Sequence, residues 1–332
     1  MKPCMLVSGC VCLAVLGVVL FEGSRNAVVA DEKETSASVA AKGRTIAELP
    51  SYPLPDAVTT AIDAFAVEND FVILGEVHGT QEVPAMAASL LPRLSKSGYG
   101  VLALEIPKDE LGPLKAWATG ETDKVPAFFA RPGGDGRGNI QLLALVRAAL
   151  SPPLRWQLVC FDQTSQESLL ALEEFERKSK ASPQPPQGYS GLSADVIALW
   201  QKRNAAMTSN ATSQLKQIEN RPKVLAICGS LHSRVENRDE SSELKRLWPS
   251  FATMLQRENS GRKVGSINVQ FHSGGFFNNG KVHSINGRKL ETAEIQPATE
   301  RGYNWELNLM HATPATFLAV PADPHILKVN SR

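Results

Sequence analysis

Phe71-Val72-Ile73-Leu74-Gly75-Glu76-Val77-His78-Gly79 decides the fold class of this chain. Four apolar, partly β-branched residues ended by glycine read as a buried strand. The arrangement returns at Val224-Leu225-Ala226-Ile227-Cys228-Gly229-Ser230-Leu231-His232. The chain thus twice makes a buried strand whose carboxyl end delivers Gly-x-x-His, and two such ends in one sheet would bring two imidazoles together.

Working outward, apolar runs alternate with amphipathic stretches. Strands are expected at 71–74, 101–104, 156–161, 224–228 and 264–271. Helices are expected at 82–94 with Thr80 as a cap, at 110–119, at 140–150 stopped by Pro152-Pro153, at 165–180 and at 194–218. Residues 132–139 hold four glycines and read as a mobile loop, a lid. Residues 182–191 (SPQPPQGYSG) read as a linker, and from about residue 272 the pattern is irregular. Strands alternating with helices imply an α/β fold: a mainly parallel central sheet with helices on both faces. The similar logic of the two halves raises an internal duplication.

In such sheets ligands bind beyond the carboxyl ends of the strands. Those ends carry Glu76 and His78, Glu105, Asp162 and His232. Glu76 and His78 stand two positions apart and share a side of an extended segment. In one reading, His78, His232 and some of Glu76, Glu105 and Asp162 hold a divalent ion (Mn, Zn, Fe or Co) that makes a nucleophile of bound water. In the other, a histidine assisted by glutamate activates water directly and the second histidine stabilises developing charge. The competing structural reading is that each histidine caps its loop and each acid the following helix, Asp162 above all. His272, His283, His311 and His325 read as surface or satisfied polar residues. Asn210-Ala211-Thr212 fits a glycosylation sequon, but inside a helix. The absence of a Gly-x-Ser-x-Gly elbow argues against an ordinary serine hydrolase.

The chain has 332 residues and a net charge of +1, so nothing draws it to nucleic acid or to an anionic surface. The N-terminus, with Lys2, an apolar stretch from Met5 to Phe21 and small residues at 27–30, has the layout of a secretory signal peptide over 1–30. An uncleaved membrane anchor is the alternative. Residues 31–50 read as a flexible polar leader, followed by one domain over 51–332. The expected location is outside the cytoplasm, with no stable membrane span after cleavage. Cys4, Cys10 and Cys12 fall in the leader. Cys160 and Cys228 fall in strands and read as packed thiols, a disulfide between them being the alternative.

Leu74-Gly75-Glu76-Val77-His78-Gly79-Thr80, with Ala103-Leu104-Glu105-Ile106-Pro107 and Gly229 to His232, resembles the superfamily that joins erythromycin esterases, ChaN-like haem-binding proteins and Tiki/TraB proteins. The stretch from Trp200 to Met207 is similar to that family's helix with an Arg-Asn or Arg-Asp pair, which lines the cavity. The resemblance covers roughly residues 65–275. It implies an EreA/ChaN-like α/β architecture and adds Arg203 and Asn204 as cavity or cofactor-binding residues. Its branches imply a Mn- or Co-dependent protease, macrolide-ring hydrolysis with a Glu/His base, or haem binding through a Tyr or His, with Tyr99, Tyr189 and Tyr303 as candidates. The combined expectation is an exported, metal-assisted hydrolase of a small molecule or peptide. Glu76, His78, Glu105 and His232 are its catalytic residues, with a haem- or iron-binding protein as the alternative.

Overall fold

The computed structural model describes residues 52–181, 192–238, 242–278 and 280–319. The signal segment, the leader to residue 50, the linker at 182–191, Cys4, Cys10, Cys12, Tyr189 and His325 lie outside the described residues.

In chain order the elements are α1 (Asp56–Glu68), β1 (Phe71–Glu76), α2 (Glu82–Lys96), β2 (Tyr99–Pro107), a 3-10 turn (Lys108–Glu110), α3 (Leu111–Ala118), α4 (Ala127–Ala130), α5 (Ile140–Leu150), β3 (Gln157–Asp162), α6 (Ser165–Ala181) and α7 (Ala194–Leu215). They continue with β4 (Lys223–Gly229), α8 (Ser242–Lys245), α9 (Phe251–Glu258), β5 (Val264–Phe271), β6 (Ser273–Asn278), β7 (Lys281–Asn286), β8 (Glu294–Pro297) and β9 (Trp305–Leu309). Among the described residues seven strands form one sheet in the order β3-β2-β4-β1-β5-β9-β8. Every pairing in it is parallel except that of β8 with β9. The α/β class and all five expected strands are present.

β1 lies at the centre, so both of its faces are buried and its residues need no polar alternation. Val72 and Leu74 pack with α2 and α5 on one face, while Phe71 and Ile73 pack with α7 and α9 on the other. The chain leaves β1 for β2 through α2 on the first face. It returns from β3 to β4 through α7, and crosses from β4 to β5 through α9, on the second. Crossovers in opposite directions must use opposite faces if each is right-handed, which is what this distribution supplies.

The outer edge of β3 is covered by α7. The side chain of Gln214 accepts from the Cys160 N–H at 3.2 Å and donates to its C=O at 2.7 Å, as a neighbouring strand would. Asn210 donates to the Asp162 carbonyl at 3.0 Å. Such cover protects an edge that would otherwise offer unpaired backbone. Asn210 is therefore buried and committed to the sheet, which removes it as a glycosylation acceptor. Cys160 and Cys228 are buried free thiols that belong to core clusters on opposite faces, so the alternative of a disulfide fails.

The described residues between 273 and 319, irregular in sequence, hold four strands. β6 and β7 pair antiparallel. β9 extends the main sheet beside β5. The segment after β9 returns across the strand ends: Ala315 N–H donates to the Gly79 carbonyl at 2.8 Å, Thr313 N–H to both Glu82 oxygens at 3.0 Å, and Ile140 N–H to the Thr316 carbonyl at 2.9 Å. Thr80 does not cap α2, which begins after Gln81 with no side-chain cap.

Gly79 has φ +80°, and a β-carbon there would stand 1.8 Å from the Phe277 carbonyl oxygen of β6. Gly98 has φ +87° with no neighbouring atom within 4 Å. Gly98→Ala should therefore cost only the left-handed strain, about 1–2 kcal/mol. Gly79→Ala should cost clearly more, because β6 must also be displaced. Equal losses in urea melts would mean that β6 is not seated on Gly79.

Candidate functional site

Because β1, β2, β3 and β4 run parallel, their carboxyl ends meet on one edge of the sheet. Glu76 ends β1, and the His78 ring turns back so that its Nδ1 lies 2.9 Å from Glu76 Oε1. The His78 Nε2 lies 3.7 Å from Glu105 Oε2. At the end of β4, the Gly229 N–H donates to Glu105 Oε2 at 2.7 Å. A tight turn, closed by His232 N–H to the Gly229 carbonyl at 2.9 Å, sets His232 Nε2 3.8 Å from Glu105 Oε1. One carboxylate thus lies between two imidazoles.

The motif glycines make room for each other's partners. A β-carbon on Gly229 would crowd the His78 Nε2 at 3.1 Å, and one on Gly75 would strike Ser233 Oγ at 2.1 Å. Each Gly-x-x-His segment is built around the other.

α7 supplies the next layer. Trp200, Arg203 and Asn204 share a helical face by their spacing of three and four. The Arg203 guanidinium pairs with Asp162 (Nε to Oδ1 3.0 Å, Nη2 to Oδ2 2.7 Å) and reaches Glu105 Oε1 at 2.6 Å. Asn204 Oδ1 lies 2.6 Å from His232 Nδ1. The Trp200 ring stacks on His232 with centroids 4.2 Å apart and 4° between planes. The cluster brings together Glu76, His78, Glu105, Asp162, Arg203, Asn204 and His232. It does not include His272, His283 or His311, which pair with Asn308, the Asn278 carbonyl and Ser273.

Sequence reasoning missed Arg137 and Asp135, on the glycine-rich loop expected to be a mobile lid. Arg137 is buried and donates through Nη1 to Glu105 Oε1 at 3.1 Å, to the Glu105 carbonyl at 3.0 Å and to Asp162 Oδ2 at 2.7 Å. Its Nε donates to Asp135 Oδ2 at 2.7 Å. Gly136 would clash with Gly79 and with the Phe277 carbonyl if it carried a β-carbon. The loop is an integral wall of the site. The available signal was Asp-Gly-Arg: charged residues between glycines that let the backbone approach closely.

Within the cluster Asp135, Glu105 and Asp162 face Arg137 and Arg203, three acids against two guanidiniums. The Glu76 carboxylate, 2.9 Å from His78 Nδ1, adds a fourth acid to the cluster. Burial opposes a charge on His78, but Glu105 and Glu76 outweigh burial and raise its pKa above the usual 6.5. Burial alone would likewise raise Glu105; His232, Arg203, Arg137 and His78 overturn that and hold it at about 2. His232 behaves oppositely. Burial lowers it to about 3, and the pull of Glu105 is too small to offset that.

Glu105 Oε1 serves Arg203 and Arg137, and Oε2 serves Gly229. Both Asp162 oxygens serve guanidiniums. A divalent cation there would displace those bonds and sit beside two buried positive charges. Among the described residues no group of three or more His, Cys, Asp or Glu could hold a metal ion. These residues do not fit a resident divalent ion, and Asp162, expected as a ligand, is an anchor for the arginines. For haem, the Tyr99 hydroxyl donates to the Ala66 and Asn69 carbonyls and that of Tyr303 to the Ser230 carbonyl, both in buried positions.

No family model matches the chain, and no curated protein matches it. Solved structures do. A succinoglycan biosynthesis protein overlays with TM-score 0.52 at 12% identity, over 86% of this chain and 100% of that one. A protein from Bacillus cereus overlays with TM-score 0.51 at 12% identity, over 85% and 99%. This chain shares their fold. Looser matches include a variant of the erythromycin esterase EreC in its open conformation (TM-score 0.47, 12% identity, 82% of each chain). They also include the haem-binding ChaN of Campylobacter jejuni (0.37, 12%, 75% and 90%).

Two outcomes are expected. Arg137→Met leaves the buried Asp135 without its guanidinium and takes one of two from Glu105 and Asp162, and should cost about 3–5 kcal/mol in denaturant melts. A loss near zero would restore the mobile lid. The histidines predict a stability dome. His232, depressed in the folded state, binds its proton only on unfolding, so stability falls as pH drops from 6.5 toward 3. His78, raised, contributes stability that is full below 6.5 and lost as pH rises through its folded value. Urea melts across this range should show His232→Asn flattening the acid limb; an unchanged limb would refute the assignment.

Proposed function

We propose that this chain is a hydrolase whose Glu/His site works on a carbonyl-containing small molecule or peptide, without a resident divalent ion. The observation that carries the reading is one carboxylate, Glu105, set between two imidazoles whose proton affinities are pushed apart. Such divergence marks an acid/base pair. Neutral His232 offers the Nε2 lone pair to a water proton. His78, whose protonated form Glu105 and Glu76 favour, stabilises the oxyanion that develops on attack. Glu76 orients His78 and favours its charge. Glu105 lies between the two rings, and the arginines keep Glu105 ionised. The lack of spare oxygens on Glu105 and Asp162 supports the metal-free form over the metal-assisted one.

Haem binding is the lesser reading, since the hydroxyls of Tyr99 and Tyr303 are both engaged. No helix of the described residues is long and apolar enough to cross a membrane. Export rests on the pattern of residues 1–30 and is part of this proposal.

Elemental analysis of residues 31–332 after dialysis should find no stoichiometric Mn, Zn, Fe or Co. A full equivalent, absent from a His78→Ala, His232→Ala double variant, would return the metal to the mechanism. In a screen of esters and peptides, Glu76→Gln should lower kcat about 100-fold with the fold intact. It should also move the alkaline limb of the rate profile to lower pH, because His78 loses a partner that favours its charge. Full activity in that variant would remove Glu76 from the mechanism.

A further inference from the structure

The site gives His232 a single tautomer. Asn204 Nδ2 donates to the Pro249 carbonyl at 2.9 Å. That carbonyl can only accept, so the amide cannot be flipped without facing two oxygens. Asn204 Oδ1 is therefore the atom 2.6 Å from His232 Nδ1. An amide oxygen can only accept, so Nδ1 must carry the hydrogen. The Nε2 lone pair is left on the side of Glu105, 3.8 Å from its Oε1. That oxygen takes hydrogen bonds from Arg203 and Arg137 and has no need of an imidazole N–H.

The ring is also held in orientation. Trp200 covers one face in a near-parallel stack, and its helix carries Asn204 one turn further on. Rotating the imidazole by half a turn would replace Nδ1 by a carbon opposite Asn204 Oδ1, leaving a buried acceptor without its donor. Asn204 is fully buried, so no water can take that place without opening the core.

We propose that Asn204 is a positioning residue that locks His232 as the Nδ1–H tautomer and presents the Nε2 lone pair to the reacting water, with Trp200 fixing the ring plane. This rests on the hydrolase reading for its purpose, but its test needs no substrate.

Long-range proton–nitrogen NMR of the uniformly 15N-labelled full chain at neutral pH reads the tautomer directly. His232 should show a protonated Nδ1 and an unprotonated Nε2. Asn204→Ala, if folded by its melting curve, should give a mixture of tautomers. Asn204→Asp, which keeps an oxygen toward the ring, should restore Nδ1–H. A wild-type signal from Nε2–H would overturn the proposal even if neither variant folds. So would an Asn204→Ala protein that keeps pure Nδ1–H. If the tautomer is as stated while His232→Asn retains full turnover, the catalytic reading fails and the positioning stands.

Discussion

The site depends on the pairing of the buried Glu105 and Asp162 with two guanidiniums. Buried carboxylates without partners would take up protons or unfold the region. Arg203 and Arg137 prevent that, and they arrive from opposite directions, one on α7 and one on the glycine-rich loop. The same bonds that keep Glu105 ionised tie the loop, the helix and the ends of β2 and β3 together. Local stability and the electrostatics of the site therefore rest on one set of contacts.

The two histidines show how environment divides like residues. Both end a Gly-x-x-His segment, both are buried, and both point Nε2 at Glu105. What differs is the partner on the other ring nitrogen. A carboxyl at His78 favours the charged ring, while a neutral amide at His232 leaves desolvation in control. Two identical motifs thereby become unlike groups.

Much of this was legible in the sequence. The strands were legible because a central parallel strand is buried on both faces and so reads as an unbroken apolar run, as at Phe71–Leu74. β9 has no such run: Trp305–Leu309 alternates apolar and polar residues, and its Glu306 and Asn308 are buried rather than solvent-facing. The strand-end residues could be enumerated because parallel order puts all carboxyl ends on one edge. Asp135 and Arg137 could not, since nothing local says that a glycine-rich loop will be drawn into the core rather than left in solvent.

The sequence alone determined the α/β class, the repeated strand–Gly-x-x-His unit, and the acids and histidines at the strand ends. These follow from local periodicity and from the rule that parallel strands share a direction. Tertiary structure decided how the proton affinities of these groups diverge. That depends on burial and on partners distant in sequence, such as Asn204 for His232 and Arg137 for Glu105 and Asp162. The same partners decided that the carboxylates have no oxygens to spare for a metal, because hydrogen bonding is settled by contact in space and not by spacing along the chain.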